Sequence, residues 1–407
     1  MTVVASLSAL PSGWGQEALR MSQANSQASD AHARAAQTLG YYNLAWGPTL
    51  WNFNTGLALE ANDNIRLTGL DPKSDLIFSP SIKTQMRWPV SEYNCLNLSF
   101  GAGYSAYLTH SEYDRLFITP GTELSFDIFV ADVRINLHDR LSILQNNYAD
   151  PTIAGNANPQ TFQNSVGVGG VWNLNKITLR SGYDHLNSMS LGSGFAGQDR
   201  TSETVYLSGA YAVQPELLVG LDLGGALVNY AGTGGTIPQT MTQWSLGPFC
   251  DWRLSDYLKL LARVGCSGTQ SEATGAAPVN SSTPVPYYQL DLTHRVNQYL
   301  DQTLSGGRMV TLSYSSSMLD LYFVRWQANW RLFQNITLGT SFVYENGSYL
   351  QSNQETFDRY GPGLSVSRPL SRKLTASMAY QYYNRESNLP YRTYTDNVLT
   401  LSFNYKF

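Results

Sequence analysis

Apolar and polar residues alternate along most of this chain. Leu96, Leu98, Phe100, Ala102 and Tyr104 interleave with Asn97, Ser99, Gly101, Gly103 and Ser105. Tyr322, Val324, Trp326, Ala328 and Trp330 interleave with Phe323, Arg325, Gln327, Asn329 and Arg331, and Leu399, Leu401, Phe403, Tyr405 and Phe407 with Val398, Thr400, Ser402, Asn404 and Lys406. A period of two belongs to an extended strand with one apolar and one polar face. Such segments succeed one another from about Phe53 to Phe407, separated by clusters of Gly, Pro, Asn, Asp and Ser.

The links between segments follow a rule of their own. Tight ones, Leu174-Asn175-Lys176, Val213-Gln214-Pro215, Leu254-Ser255-Asp256, Phe333-Gln334-Asn335 and Ser371-Arg372, alternate with long polar ones: Leu70 to Asp75, Asn146 to Gln160, Asn187 to Arg200, Thr269 to Pro286 and Glu386 to Tyr391. Short turns at one rim and long loops at the other mark an up-and-down barrel in an outer membrane, with both chain ends on the short-turn side. The segments predict an all-β, transmembrane, antiparallel β-barrel of about 18 strands. The count falls to about 16 if the chain does not reverse near Asp127 to Asp132, where no strong turn residue stands. Interfacial aromatics give a second test. Trp88, Trp172, Trp252 and Trp330 fall on apolar rows just before short turns and predict one membrane girdle; Tyr104, Tyr183, Tyr344 and Tyr382, near the opposite ends, predict the other.

Composition narrows the class. The chain has 407 residues, 43% apolar, 12% aromatic and 14% charged, too apolar for a disordered segment. No run of ~18 uncharged apolar residues occurs, which excludes a helical membrane protein. A formal net charge of -4 offers nothing to a phosphate backbone, so no nucleic-acid partner is expected. The polar rows carry charges in mid-strand: Lys83, Arg87, Glu123, Asp132, Arg134, Arg180, Asp184, Asp222, Lys259, Arg263, Asp291, Arg295, Arg325 and Glu345. So many charges would be costly in a dry core. They are expected to line a wet lumen, which a barrel of about 16 to 18 strands is wide enough to leave, while the aliphatic rows meet lipid.

Before the strands, residues 1–15 read as a signal peptide lacking a basic start, and residues 16–38 as a helical periplasmic or plug segment, with Met21, Ala24, Ala28, Ala31 and Ala35 at helical spacing. Residues 39–407 form the predicted barrel. The last segment resembles the C-terminal recognition strand of bacterial outer-membrane proteins, with Phe403, Tyr405 and Phe407 as the aromatic signal. That resemblance implies a bacterial outer-membrane location and the barrel assembly machinery as a partner. A looser likeness reaches a family of β-barrel porins associated with exopolysaccharide export. Leu57-Ala58-Leu59-Glu60-Ala61-Asn62-Asp63-Asn64-Ile65 and Asp75-Leu76-Ile77-Phe78-Ser79-Pro80 look like its opening strand, turn and second strand, and it implies no particular functional residue.

Sites of chemistry are not apparent. Cys95, Cys250 and Cys266 have no metal or redox spacing. Pairing the strands around Leu254 to Asp256 sets Cys250 opposite roughly Lys259, too far from Cys266 for a bridge. His110 falls in a loop, His294 on an apolar row, and His138 and His185 near the expected girdles; none is tied to a serine by a motif. Carboxylates stand singly, and Gly167 to Gly170 and Gly224-Gly225 lack the Lys and helix of a phosphate loop. The loops at Gly69 to Asp75 and around Asp150 carry oxygen ligands without an EF-hand spacing. No enzyme, cofactor or metal is expected. The expected function is porin-like passage of small hydrophilic solutes across a lipid bilayer. The alternatives are an exopolysaccharide-secretion barrel, with Tyr206 and Tyr383 as sugar-stacking surfaces, and a nonconducting surface barrel.

Overall fold

In hydrocarbon no water pairs with a free N–H or C=O, so strands can span a membrane only as a closed cylinder. The chain meets that demand with eighteen strands preceded by a short hairpin arm. The computed structural model describes residues 42–143, 150–155, 160–191, 199–232, 238–273, 284–312, 318–333, 335–350 and 355–407. The arm is β1 (Leu44–Trp46). The wall begins with β2 (Thr49–Asn62), β3 (Asp75–Pro89), β4 (Cys95–Tyr107), β5 (Arg115–Val130), β6 (Val133–Ile143), β7 (Thr161–Leu174) and β8 (Ile177–Ser190). It continues through β9 (Arg200–Gln214), β10 (Leu217–Tyr230), β11 (Gln239–Ser255), β12 (Leu258–Ala273), β13 (Val285–Arg295) and β14 (Leu300–Leu312). It ends with β15 (Met318–Leu332), β16 (Ile336–Tyr349), β17 (Thr356–Pro369), β18 (Leu374–Ser387) and β19 (Tyr394–Lys406). The expected signal and helical segments lie outside the described residues.

Each wall strand pairs antiparallel with its neighbours in sequence, and β19 closes on β2 from Val398↔Asn62 to Lys406↔Asn54. Below Lys406 the edge of β2 has lost that partner. Phe407 N–H donates to the Phe53 carbonyl at 3.3 Å, Asn43 Nδ2 donates to the same carbonyl at 2.9 Å, and Phe53 N–H donates to Asn43 Oδ1 at 3.1 Å. Strand β1 then pairs with Leu50 and its neighbours. The arm therefore continues the seam where β19 stops, leaving little of the edge bare.

The reversal between β5 and β6 is made by Ala131 and Asp132, with Ala131 at φ 51°. Phe333 also adopts a left-handed conformation, at φ 47°, in the short turn after β15. Neither residue type favours that region, so these turns leave no clear trace in the sequence. The strands tilt, as a hydrogen-bonded row makes plain. Trp172, near the short-turn end of β7, opposes Leu179; Leu179 opposes Gly209, Gly209 opposes Leu221, and Leu221 opposes Pro248. Farther on, Val264 opposes Tyr288, Tyr288 opposes Arg308, and Arg308 opposes Tyr322, near the long-loop end of β15.

Exposure separates the two faces. The outward rows carry Leu76, Phe78 and Ile82 on β3, Leu221, Leu223 and Leu227 on β10, and Leu399 and Leu401 on β19, all exposed. Trp88, Trp172, Trp252 and Trp330 are outward at the short-turn ends, between 40% and 48% exposed, and Tyr104, Tyr183 and Tyr344 are outward nearer the other rim. So much contiguous apolar surface is stable against hydrocarbon and not against water. Cys250 and Cys266 are outward; Cys250 opposes Ala262, and not Lys259, and Cys266 opposes Leu246, because the turn falls at Asp256 and Tyr257. All three cysteines are free.

Adjacent residues on β14 test the two faces. Replacing outward Leu304 with Arg is expected to destabilise the inserted barrel by about 2–4 kcal/mol, while Thr303→Arg, facing inward, costs about 0.5 kcal/mol or less. Urea unfolding of the two variants in lipid vesicles measures the difference.

Candidate functional site: the lumen and its loop constriction

Thirteen of the fourteen charges expected to line the lumen fall on inward rows: Lys83 and Arg87 on β3, Glu123 on β5, Arg134 on β6, Arg180 and Asp184 on β8, Asp222 on β10, Lys259 and Arg263 on β12, Asp291 and Arg295 on β13, Arg325 on β15 and Glu345 on β16. Asp132 does not. It sits exposed in the turn after Val130, because the strand expected to carry it ends there.

Neighbouring strands, and in one case β10 and β12 on either side of β11, bring opposite charges together across the inner wall. Arg140 Nε donates to Glu123 Oε2 at 3.1 Å, Lys259 Nζ lies 3.1 Å from Asp251 Oδ2, and Arg263 Nε lies 3.7 Å from Asp222 Oδ2. Glu345 is 1% exposed and is held from both sides: Arg325 Nη2 donates to its Oε1 at 2.8 Å and Arg359 Nε to its Oε2 at 2.9 Å. Two guanidiniums meet the large desolvation cost of that carboxylate. Lys83, Arg134, Arg180 and Arg295 have no ion-pair partner within 4 Å among the described residues and stay at least partly exposed to the lumen.

A second cluster lies above the first. Glu355 takes Arg385 Nη1 at 3.0 Å, Arg392 Nε at 2.9 Å and the Ser387 hydroxyl at 2.7 Å. Arg392 Nη2 also donates to the Thr152 carbonyl at 2.9 Å, and the Arg385 guanidinium lies 3.9 Å over the Phe357 ring. This cluster anchors three loops. Ile153 and Ala154, from the long connection after β6, pack with Leu67, from the loop after β2, against inward Val343, Tyr383 and Tyr394. Val343 is midway along β16, so these loop residues descend into the barrel. Gly155 N–H donates to the Leu67 carbonyl at 2.9 Å. At Gly155 φ is +78°, and a Cβ there would lie 3.2 Å from Arg392 Cγ, so glycine suits both the backbone and the space. Beside the loops, Met309, Leu319, Leu321, Phe323, Tyr349 and Phe357 make a covered apolar sector of the inner wall. The lumen is thus narrowed from the β14–β19 side. Across it, Arg134 on β6 and Arg180 on β8 stay at least partly accessible, as do Lys83 and Arg87 on β3, beside the covered sector.

The histidines occupy different settings. His138, expected near a girdle, is buried on the inward row of β6, its Nε2 2.7 Å from Asp184 Oδ1, and Ser165 Oγ donates to the same oxygen at 3.0 Å. Gly167 leaves room for this group, since a Cβ there would lie 2.5 Å from Asp184 Oδ1 and 2.6 Å from His138 Nε2. Ser, His and Asp are all present, but serine and histidine both bind the carboxylate, whereas an activated nucleophile needs hydroxyl against imidazole. His185 is outward and hydrogen-bonded to Glu203 at 2.7 Å. His110 caps the loop after β4, its Nδ1 2.9 Å from Asp75 Oδ2. No group of three metal-ligating side chains occurs among the described residues. In the loop around Asp150, Asp150 Oδ1 accepts from Thr152 N–H at 2.8 Å, and desolvation holds its carboxyl above the usual carboxylate range.

A closed antiparallel barrel, aliphatic outside and charged within, is a transmembrane β-barrel of the bacterial outer-membrane type. OccK2 (OpdF) of Pseudomonas aeruginosa superposes with a TM-score of 0.50 at 11% identity, over 88% of this chain and 97% of that one. OccD3 (OpdP) of the same organism gives 0.49 at 12% identity, over 90% and 93%, and OccAB3 of Acinetobacter baumannii 0.47 at 13%, over 89% and 100%. No protein-family model and no curated protein matches the sequence, and the resemblance to polysaccharide-export barrels gains no support from these comparisons. Leu57–Asn62 and Asp75–Pro80 do lie on the first two wall strands.

Two substitutions separate stability from aperture. Glu345→Gln leaves two guanidiniums facing a neutral amide and is expected to cost about 3–5 kcal/mol in thermal or urea unfolding. Arg392→Ala frees Thr152 and is expected to raise single-channel conductance in planar bilayers; an unchanged conductance would show that the loops hold their place without it.

Proposed function

We propose that this barrel is a porin-like channel that lets small hydrophilic solutes cross a bacterial outer membrane passively. The observation that carries the reading is the division of the inner wall. One sector is covered by the inward loops, while the facing sector keeps Arg134 and Arg180 without ion-pair partners among the described residues, in a cylinder broad enough for water. A hydrated path lined by both signs of charge favours small polar solutes and offers apolar ones no partner. In this reading the four tryptophans sit at the periplasmic interface and the outward tyrosines at the outer one. Outward Phe403 and Tyr405, with Phe407 at the seam beside Asn43, form the strand that the barrel assembly machinery reads. Catalysis has no part in this function.

The secretion alternative needs aromatic faces open to a sugar chain. Tyr383 is covered by Leu67 and Ile153, and Tyr206 is buried, its ring close against Gly182. Neither offers such a face, so no observation favours that alternative over a porin.

Refolded protein in planar bilayers is expected to give discrete ion-conducting steps, and vesicles containing it to swell in isotonic glucose. Conductance confined to a chain lacking residues 17–37 would favour a plugged, partner-dependent barrel. Absence of conductance in both forms would contradict the proposal.

A further inference from the structure

The outward wall carries an indentation among its described residues. A furrow of about 710 Å³ crosses β8 to β12, between Ile177 and Val264. Small or flat outward groups make its floor: Gly209, Pro248, Cys250 and Ala262. Tyr211 and Leu221 stand beside them as flanks, more than 40% exposed. The wall is thin at this point. Gly220 has no side chain, and the Phe249 ring covers it from within, where a Cβ would lie 2.4 Å from the ring.

The furrow's course gives it a direction. Ile177 is the first residue of β8, directly after the short turn at Asn175 and Lys176, whereas Ala262 and Val264 lie farther up β12. Because of the strand tilt, the furrow climbs from the periplasmic rim toward mid-wall. Five adjacent strands spaced about 4.8 Å apart give it a run of about 19 Å across the strands; at a strand tilt of about 40° that run rises roughly 12 Å, most of the ~15 Å half-thickness of a hydrocarbon core. Exposed Lys176 marks the rim end with a positive charge, and apolar groups line the interior.

We infer that this furrow seats one acyl chain of a phospholipid from the periplasmic leaflet, with Lys176 beside its phosphate. Direction, lining and the exposed cation beside the rim end match that occupant. A second copy of the chain would need a flat complementary surface and would gain nothing from a cation at one end. The inference rests on the reading of the outer wall as bilayer-facing, and not on whether the lumen conducts.

Full-length protein released from nanodiscs of phosphatidylethanolamine and phosphatidylglycerol into a mild detergent can be weighed by native mass spectrometry. Wild type is expected to keep one phospholipid that Gly209→Phe and Ala262→Phe, each filling the furrow, both lose. Lys176→Glu is expected to lower the occupied fraction at least about fivefold. The two filling substitutions lie on different strands, so failure of one to fold leaves the other as the test. Both face outward, and far-ultraviolet circular dichroism with heat-modifiable electrophoretic migration against wild type serves as the control for folding. Equal lipid retention in wild type and filled variants would overturn the inference. So would a wild-type mass of two chains that the filling substitutions reduce to one.

Discussion

Backbone hydrogen bonding in a medium without water is the constraint from which the rest of this structure follows. Each wall strand is paired on both sides, and the demand is hardest to meet at the seam, where β19 is shorter than β2. Asn43 meets it by using its side-chain amide as a substitute peptide, giving and taking a hydrogen bond with Phe53 just below Phe407. Closure then fixes the parity of every strand. A register slip of one residue would turn lysines and arginines outward and leucines inward, so pairing and the two-faced pattern enforce each other.

Parity also decides what the lumen can hold. Charges from adjacent strands land side by side, and the wall sorts them into two conditions. Where the loops cover it, they are buried in groups centred on one carboxylate: Glu345 between Arg325 and Arg359, and Glu355 between Arg385 and Arg392. Where the loops leave it open, cations such as Lys83 and Arg180 remain available to water and solutes. The buried groups position the loops, and the loops define the passage. Arg392 takes part in both, binding the carboxylate of Glu355 and the backbone of Thr152.

Much of the wall was legible in the sequence because a strand with one face in lipid and the other in water has the strongest period-two contrast a chain can carry. The strand count, the alternation of turns and loops and the outward placement of Trp88, Trp172, Trp252 and Trp330 all follow from it. Asp132 was misplaced because Ala131 turns the chain without a turn-forming residue. Arg359 and Arg385 are not legible in the sequence because the contrast fades near the outer rim, where outward Asp358, Asn384 and Glu386 are as polar as the inward positions. The packing of Leu67 and Ile153 against Val343 had no signal at all. Loop residues have no period, and only the folded wall supplies their partners.

A nitroxide scan along β15, from Leu321 to Trp330 in lipid vesicles, tests the two-faced cylinder most directly. The account predicts that labels at Tyr322, Val324, Trp326, Ala328 and Trp330 collide preferentially with oxygen dissolved in the bilayer, and that labels at Arg325, Gln327 and Asn329 collide with a water-soluble nickel complex. A scan in which the two reagents show no opposition of phase, or the reverse one, would contradict it.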